Sequence, residues 1–237
     1  MDDPTGKRDG RRFDMLVKAI QAYDCVVVVR RETEEECNKL GAKRVIRVLR
    51  SYDEEAHKPF AHVSDVRAKY ISEVVFIGTW MRHERRDEFL LELLNQGVPI
   101  SIWGGRWKKS PNWAALEKVY CGGALGGRDY VAAIQGSKLC LGLLSKGNRD
   151  LHTQRSLEVP FAGGLLCAER TSEHQEIYQE GKEAVFWSSA AECAEICKKL
   201  LADDTLREEI RLAGMAKVRS LKVGNEDICR RILDAVL

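Results

Sequence analysis

From residue 70 onward the chain alternates short apolar runs, several closed by glycine, with longer stretches whose apolar residues recur at helical spacing. A strand that is followed each time by a crossover helix can pair with the next strand only in parallel, and a parallel sheet must be covered on both faces. The apolar runs fall at residues 70–77, 100–103, 139–144, 165–168 and 184–187. Gly78 closes the first run, and Gly104 and Gly105 close the second. Between them the periodicity predicts helices over 85–96, 130–135, 156–162 and 173–180, the first with Phe89, Leu90, Leu93 and Leu94 on its apolar side. Three more helices are predicted over 190–203, 204–219 and 225–236. The expected fold class is α/β, a doubly wound parallel sheet with helices on both faces, and ligands of such sheets sit outside the carboxyl ends of the strands.

The first third of the chain reads differently. Residues 1–12 are polar and predict a loop, after which 13–23 predict a helix, 25–29 a strand buried on both faces, 33–41 a helix and 44–49 a strand. Thr33 stands as the helix N-cap ahead of Glu34, Glu35 and Glu36, and Gly41 as the C-terminal stop. Two strands are too few for a sheet of their own, so residues 1–66 are expected to be the remnant of another domain plus a linker at 53–65. Residues 67–237 then form the main domain.

Composition narrows the partners. With 38 basic and 36 acidic residues the formal charge is +2, which gives no expectation of nucleic-acid binding. Eight cysteines occur without a Cys-x-x-Cys pair, several inside apolar runs, so they read as reduced core residues; Cys193 and Cys197 lie one helical turn apart without a companion pair, and no metal is expected. No secretory h-region is visible, and no apolar run approaches the roughly 20 residues that span a bilayer. The chain is therefore expected in the cytoplasm, with no integral membrane segment.

Three stretches at the predicted carboxyl edge carry chemistry. Gly78-Thr79-Trp80 leads from a strand toward Arg82, Arg85 and Arg86, a setting of backbone N–H groups and guanidiniums that suits a diphosphate. Asp150 and Glu158 flank a loop-to-helix junction that also holds His152 and Arg155, and carboxylates are fitting acceptors for sugar and ribose hydroxyls. Glu158 is flanked by Leu157, Val159, Pro160 and Phe161, an odd place for a solvated charge. Gly163 and Gly164 permit close backbone approach, and Arg170 adds a cation. No Gly-x-Gly-x-x-Gly follows a predicted strand, which counts against a dinucleotide oxidoreductase. Among the histidines, His152 and His174 flank the pocket.

The segments Arg155 through Gly164, Glu169-Arg170-Thr171-x-Glu173-His174 and Glu180 through Ala184, in that order, resemble the C-terminal domain of group 1 glycosyltransferases, in particular the CgeB-like (spore maturation protein) branch. The resemblance covers residues 70–220. It implies a Rossmann-like donor-binding half of a GT-B fold, with Asp150 and Glu158 keeping the spacing of the Glu-x7-Glu pattern that holds the donor, Asp standing at its first position. It also implies metal-independent, retaining transfer from a UDP- or GDP-linked sugar to an acceptor that is a glycan, lipid, protein or small molecule. The donor is a substrate, so no cofactor is expected, and no catalytic base is assigned. A donor-binding module without turnover is the alternative.

Overall fold

The computed structural model describes residues 3–6 and 13–237, so most of the loop expected over residues 1–12 lies outside the described residues. Six parallel strands form the main sheet in the order β5-β4-β3-β6-β7-β8. They are β3 (Ser72–Ile77), β4 (Ile100–Trp103), β5 (Tyr120–Gly122), β6 (Ser137–Gly142), β7 (Leu166–Glu169) and β8 (Val185–Trp187). The crossovers carry α3 (Arg86–Asn95), α4 (Trp113–Leu116), α5 (Gly127–Gln135), α6 (Arg155–Phe161) and α7 (Ser172–Ile177), and the chain ends in α8 (Ala190–Ala202), α9 (Asp204–Ser220) and α10 (Asn225–Val236).

Strand periodicity explains why both faces are covered. Successive side chains point to opposite faces, so the continuous apolar run of β3 supplies two cores at once. Val74 and Phe76 pack with Leu90 and Leu93 of α3 and with Cys193 and Cys197 of α8. Val75 and Ile77 pack with Val131 and Ile134 of α5 and with Leu157 of α6. Each core buries many side chains completely, at about 25 cal/mol per Å² of apolar surface removed from water.

The sequence reading missed α4 and β5, each too short to show a period. The helix expected over 85–96 forms as α3, which begins at Arg86 after an irregular stretch at 78–85.

The amino-terminal part forms α1 (Asp14–Ala19), β1 (Val26–Val28), α2 (Arg31–Lys39) and β2 (Val45–Arg47). Contrary to expectation, β1 and β2 make a two-stranded parallel sheet of their own, with Ile20, Val28 and Cys37 as its core. Val27 is 39% exposed, so β1 is not buried on both faces. Thr33 is not an N-cap either. The helix begins at Arg31, and the Thr33 hydroxyl is buried against Asp3 Oδ1 at 3.4 Å. Residues 53–65 contain no strand or α-helix but are firmly attached, since Gln135 pairs with both the N–H (2.7 Å) and the C=O (3.0 Å) of Phe60. Among the described residues no helix is long and apolar enough to cross a membrane.

Candidate functional site

The chain leaves β3 toward β4 and β5 on one side, and leaves β6 toward β7 and β8 on the other. The loops after β3 and β6 therefore diverge and open a crevice at their carboxyl ends. Its walls are pinned by backbone. Gly104, with φ +147, lies so close to β3 that a Cβ there would stand 2.0 Å from the Gly78 carbonyl oxygen, which accepts a 2.8 Å hydrogen bond from Trp107 Nε1. Across the crevice Glu84 fastens the loop after β6, accepting from Ser145 Oγ (2.9 Å), Lys146 N (2.8 Å) and Gly147 N (3.3 Å).

Two guanidiniums meet here. Arg86 donates to the carbonyls of Thr79 (2.9 Å) and Leu144 (3.3 Å) and so spans the crevice. Arg155, the first residue of α6, approaches from the opposite face of the sheet. Burial lowers the Arg86 pKa, opposed by the charge of Glu84 and reinforced by the like charge of Arg155. The Nε of each arginine is buried and has no hydrogen-bond partner. Two half-buried guanidiniums of like charge at one crevice favour an anion beside them. Arg86 was one of three arginines in the sequence cluster; Arg82, also expected to meet the diphosphate, lies on an exposed turn.

Glu158 sits one turn into α6, its side chain 13% exposed, and its Oε2 accepts from Tyr130 Oη at 2.8 Å. Burial, more than the neighbouring carboxylate, raises the Tyr130 pKa, so the phenol stays a donor. Nothing in the sequence marked Tyr130 beyond its place in a predicted helix.

Asp150 occupies different surroundings. Its Oδ1 accepts from Arg30 Nε (2.9 Å), Arg30 Nη2 (2.6 Å) and Arg50 Nη2 (2.9 Å), all buried. His152 continues this network: its Nε2 accepts from Arg50 N at 3.4 Å, which leaves Nδ1 to donate to Glu173 Oε2 at 2.5 Å. Burial pushes the Glu173 pKa up, but the bond from His152 and the charge of Arg47 outweigh it and hold the carboxyl below its usual range. Arg30 and Arg50 appeared in the sequence only as charged residues after apolar runs, so no signal tied them to Asp150.

The remaining sequence candidates separate. Gly163 and Gly164 precede β7 and lie at the amino edge of the sheet, away from the crevice, where Gly163 (φ +86) ends α6 beside Gln135 and Arg211. They make the turn from α6 into β7, which corrects their grouping with the carboxyl edge. Arg170 is at that edge but is consumed by Glu180 (2.7 Å), Glu192 (2.6 Å) and the Phe186 carbonyl (2.9 Å). The cysteine pair of α8 has a companion after all: the thiols of Cys167, Cys193 and Cys197 lie within 4.8 Å of one another, fully buried in the apolar core.

A family model described as glycosyl transferase-like matches residues 82–232. No curated protein matches the chain by sequence. Among solved structures, the chain is similar to HepE of Anabaena in complex with UDP and glucose, with a TM-score of 0.73 at 13% identity over 94% of this chain and 66% of that one. It is similar to sucrose-phosphate synthase of Thermosynechococcus elongatus at 0.70 and 13%, over 97% of this chain and 61% of that one. The C-terminal domain of a group 1 glycosyl transferase from Francisella tularensis matches at 0.52 and 13%, over 72% of this chain and 97% of that one. The chain thus spans 61% and 66% of the two longer relatives, and the likeness is one of fold.

Proposed function

Because this chain belongs to the glycosyl transferase-like family, we propose that it holds a nucleoside-diphosphate sugar in the crevice between β3 and β6 and passes the sugar to an acceptor hydroxyl. The observation that carries the reading is the pair Arg86 and Arg155, two half-buried guanidiniums that repel each other and each keep an unused Nε–H. A diphosphate beside them relieves the repulsion. Glu158 then accepts from the ribose, and Gly78 and Thr79 line the approach.

In the transfer, the acceptor oxygen bonds to the anomeric carbon as the bond to the terminal phosphate oxygen breaks. The leaving oxygen keeps the electron pair and takes up the acceptor's proton. Arg86 and Arg155 stabilise the charge that develops on the diphosphate, the role a cation plays elsewhere, so the proposed transfer is metal-independent. Retention of configuration and assignment to the CgeB-like branch rest on the ordered motifs at 155–164, 169–174 and 180–184. The buried thiols of Cys140, Cys167, Cys193 and Cys197 suit the reducing cytoplasm. The acceptor is a glycan, lipid, protein or small molecule.

A second reading, donor binding without turnover, is favoured by one observation: Asp150, expected to meet the sugar, has Oδ1 engaged by Arg30 and Arg50. Calorimetric titration with UDP, GDP and several of their sugars, followed by an assay for released nucleotide and transferred sugar, decides. Binding that Glu158→Ala and Arg155→Ala weaken, together with transfer, is expected. Binding without transfer selects the second reading, and no binding by any nucleotide removes both.

A further inference from the structure

We propose that His57, on the loop ahead of the main domain, is a second ribose ligand that stands close enough to Glu158 for one hydroxyl seated beside the pair to reach both. The inference rests on the donor reading of the crevice and adds a residue to it. His57 Nδ1 accepts a 3.0 Å hydrogen bond from Asp53 N, which leaves the ring proton of the neutral imidazole on Nε2. That Nε2 lies 3.8 Å from Glu158 Oε1, too far for a direct hydrogen bond. The other carboxylate oxygen, Oε2, is already held by Tyr130 at 2.8 Å. A donor and an acceptor thus stand side by side, and one hydroxyl seated next to the pair, not between them, accepts from the first and donates to the second.

The pair is built into the fold. Asp53 Oδ1 accepts from Glu55 N (3.0 Å) and Ala56 N (2.7 Å), which fixes the turn that carries His57. Arg128 donates to the Lys58 carbonyl just beyond it. The imidazole stands edge-on to Tyr130, with ring centroids 5.8 Å apart and planes at 69°. His57 and Glu158 keep 17% and 13% of their side-chain surface, so neither is sealed from solvent. One ribose hydroxyl, accepting from Nε2–H and donating to Oε1, completes the set.

The full chain is titrated by calorimetry with UDP and GDP, then with the 2′,3′-dideoxy form of whichever binds. His57→Ala is expected to weaken the ribonucleotide about tenfold, the scale of one lost hydrogen bond to a charged group or its partner, and to leave the dideoxy form unchanged. His57→Phe keeps the ring against Tyr130 but cannot donate, and shows the same selective loss. His57→Ala added to Glu158→Ala produces little further loss. Equal weakening of both nucleotide forms, or no weakening of either, overturns the role of His57 even when Glu158→Ala abolishes ribose discrimination. If wild type binds neither UDP nor GDP, the donor reading fails and this inference fails with it.

Discussion

Arg30 places both Nε and Nη2 on a single oxygen of Asp150, at 2.9 and 2.6 Å, and each side chain is only 5% exposed. The contact joins the end of β1 to the loop before α6, and Arg50 adds a third bond to the same oxygen at 2.9 Å. Removing the carboxylate leaves two buried cations facing each other. Asp150→Ala is expected to lower unfolding free energy by about 3–5 kcal/mol, read from urea denaturation. A loss below about 1 kcal/mol would show that the network does not fasten the two sheets together.

Arg155 should behave in the opposite way. Its Nε has no partner, and its charge disfavours that of Arg86. Arg155→Ala is expected to change stability by no more than about 0.5 kcal/mol while weakening nucleoside diphosphates about tenfold or more. The affinity of wild type should also fall with added salt more steeply than that of the variant. Equal affinities in calorimetry would remove the diphosphate from this pair.

Gly164 tests the division between fold and site. A Cβ at this position would stand 2.6 Å from Ile134 Cγ2 and 3.1 Å from Cys140 Sγ. Gly164→Ala is expected to cost about 1–3 kcal/mol through overpacking, seen as a lower melting temperature. Nucleotide affinity, measured where the variant is folded, should be unchanged, because the turn lies at the amino edge of the sheet. A loss of affinity at full stability would return the glycine to the donor site.

His174 gives a pH signature. The ring is fully buried against Phe186, with Nδ1 bonded to the Glu169 carbonyl at 2.6 Å and Nε2 to Ser156 Oγ at 2.8 Å. Burial lowers its pKa to about 4 from 6.5. Between those values the unfolded chain holds a proton that the folded chain refuses, so stability is full above the upper value and falls as pH drops toward the lower one. The slope approaches about 1.4 kcal/mol per pH unit, and the loss stops below the folded value. His174→Gln should flatten this part of the profile in denaturation between pH 4 and pH 6.5. An unchanged slope would assign the acid sensitivity to other groups.

The apolar runs and helical periods were enough to place five of the six strands of the main sheet and nearly all of its long helices, because burial on both faces leaves a local mark on the sequence. β5 escaped because an edge strand of Tyr120–Gly122 is too short to carry one. Asp150, Arg155 and Glu158 were visible as polar residues at a strand-to-helix junction, whereas their partners were not. Arg30 is 120 residues from Asp150, Tyr130 is 28 from Glu158, and His57 approaches Glu158 from a loop without periodicity.

The sequence by itself determined the layered α/β fold and the family resemblance, since hydrophobic period and local motif are properties of neighbouring residues. Only the tertiary structure decided that Gly163 and Gly164 turn the chain at the far edge, that Asp150 is held by Arg30 and Arg50, and that Arg86 and Arg155 keep unspent donors. Those facts depend on which distant groups are brought together in a low-dielectric interior, where hydrogen-bond satisfaction and charge pairing are set by packing rather than by order along the chain.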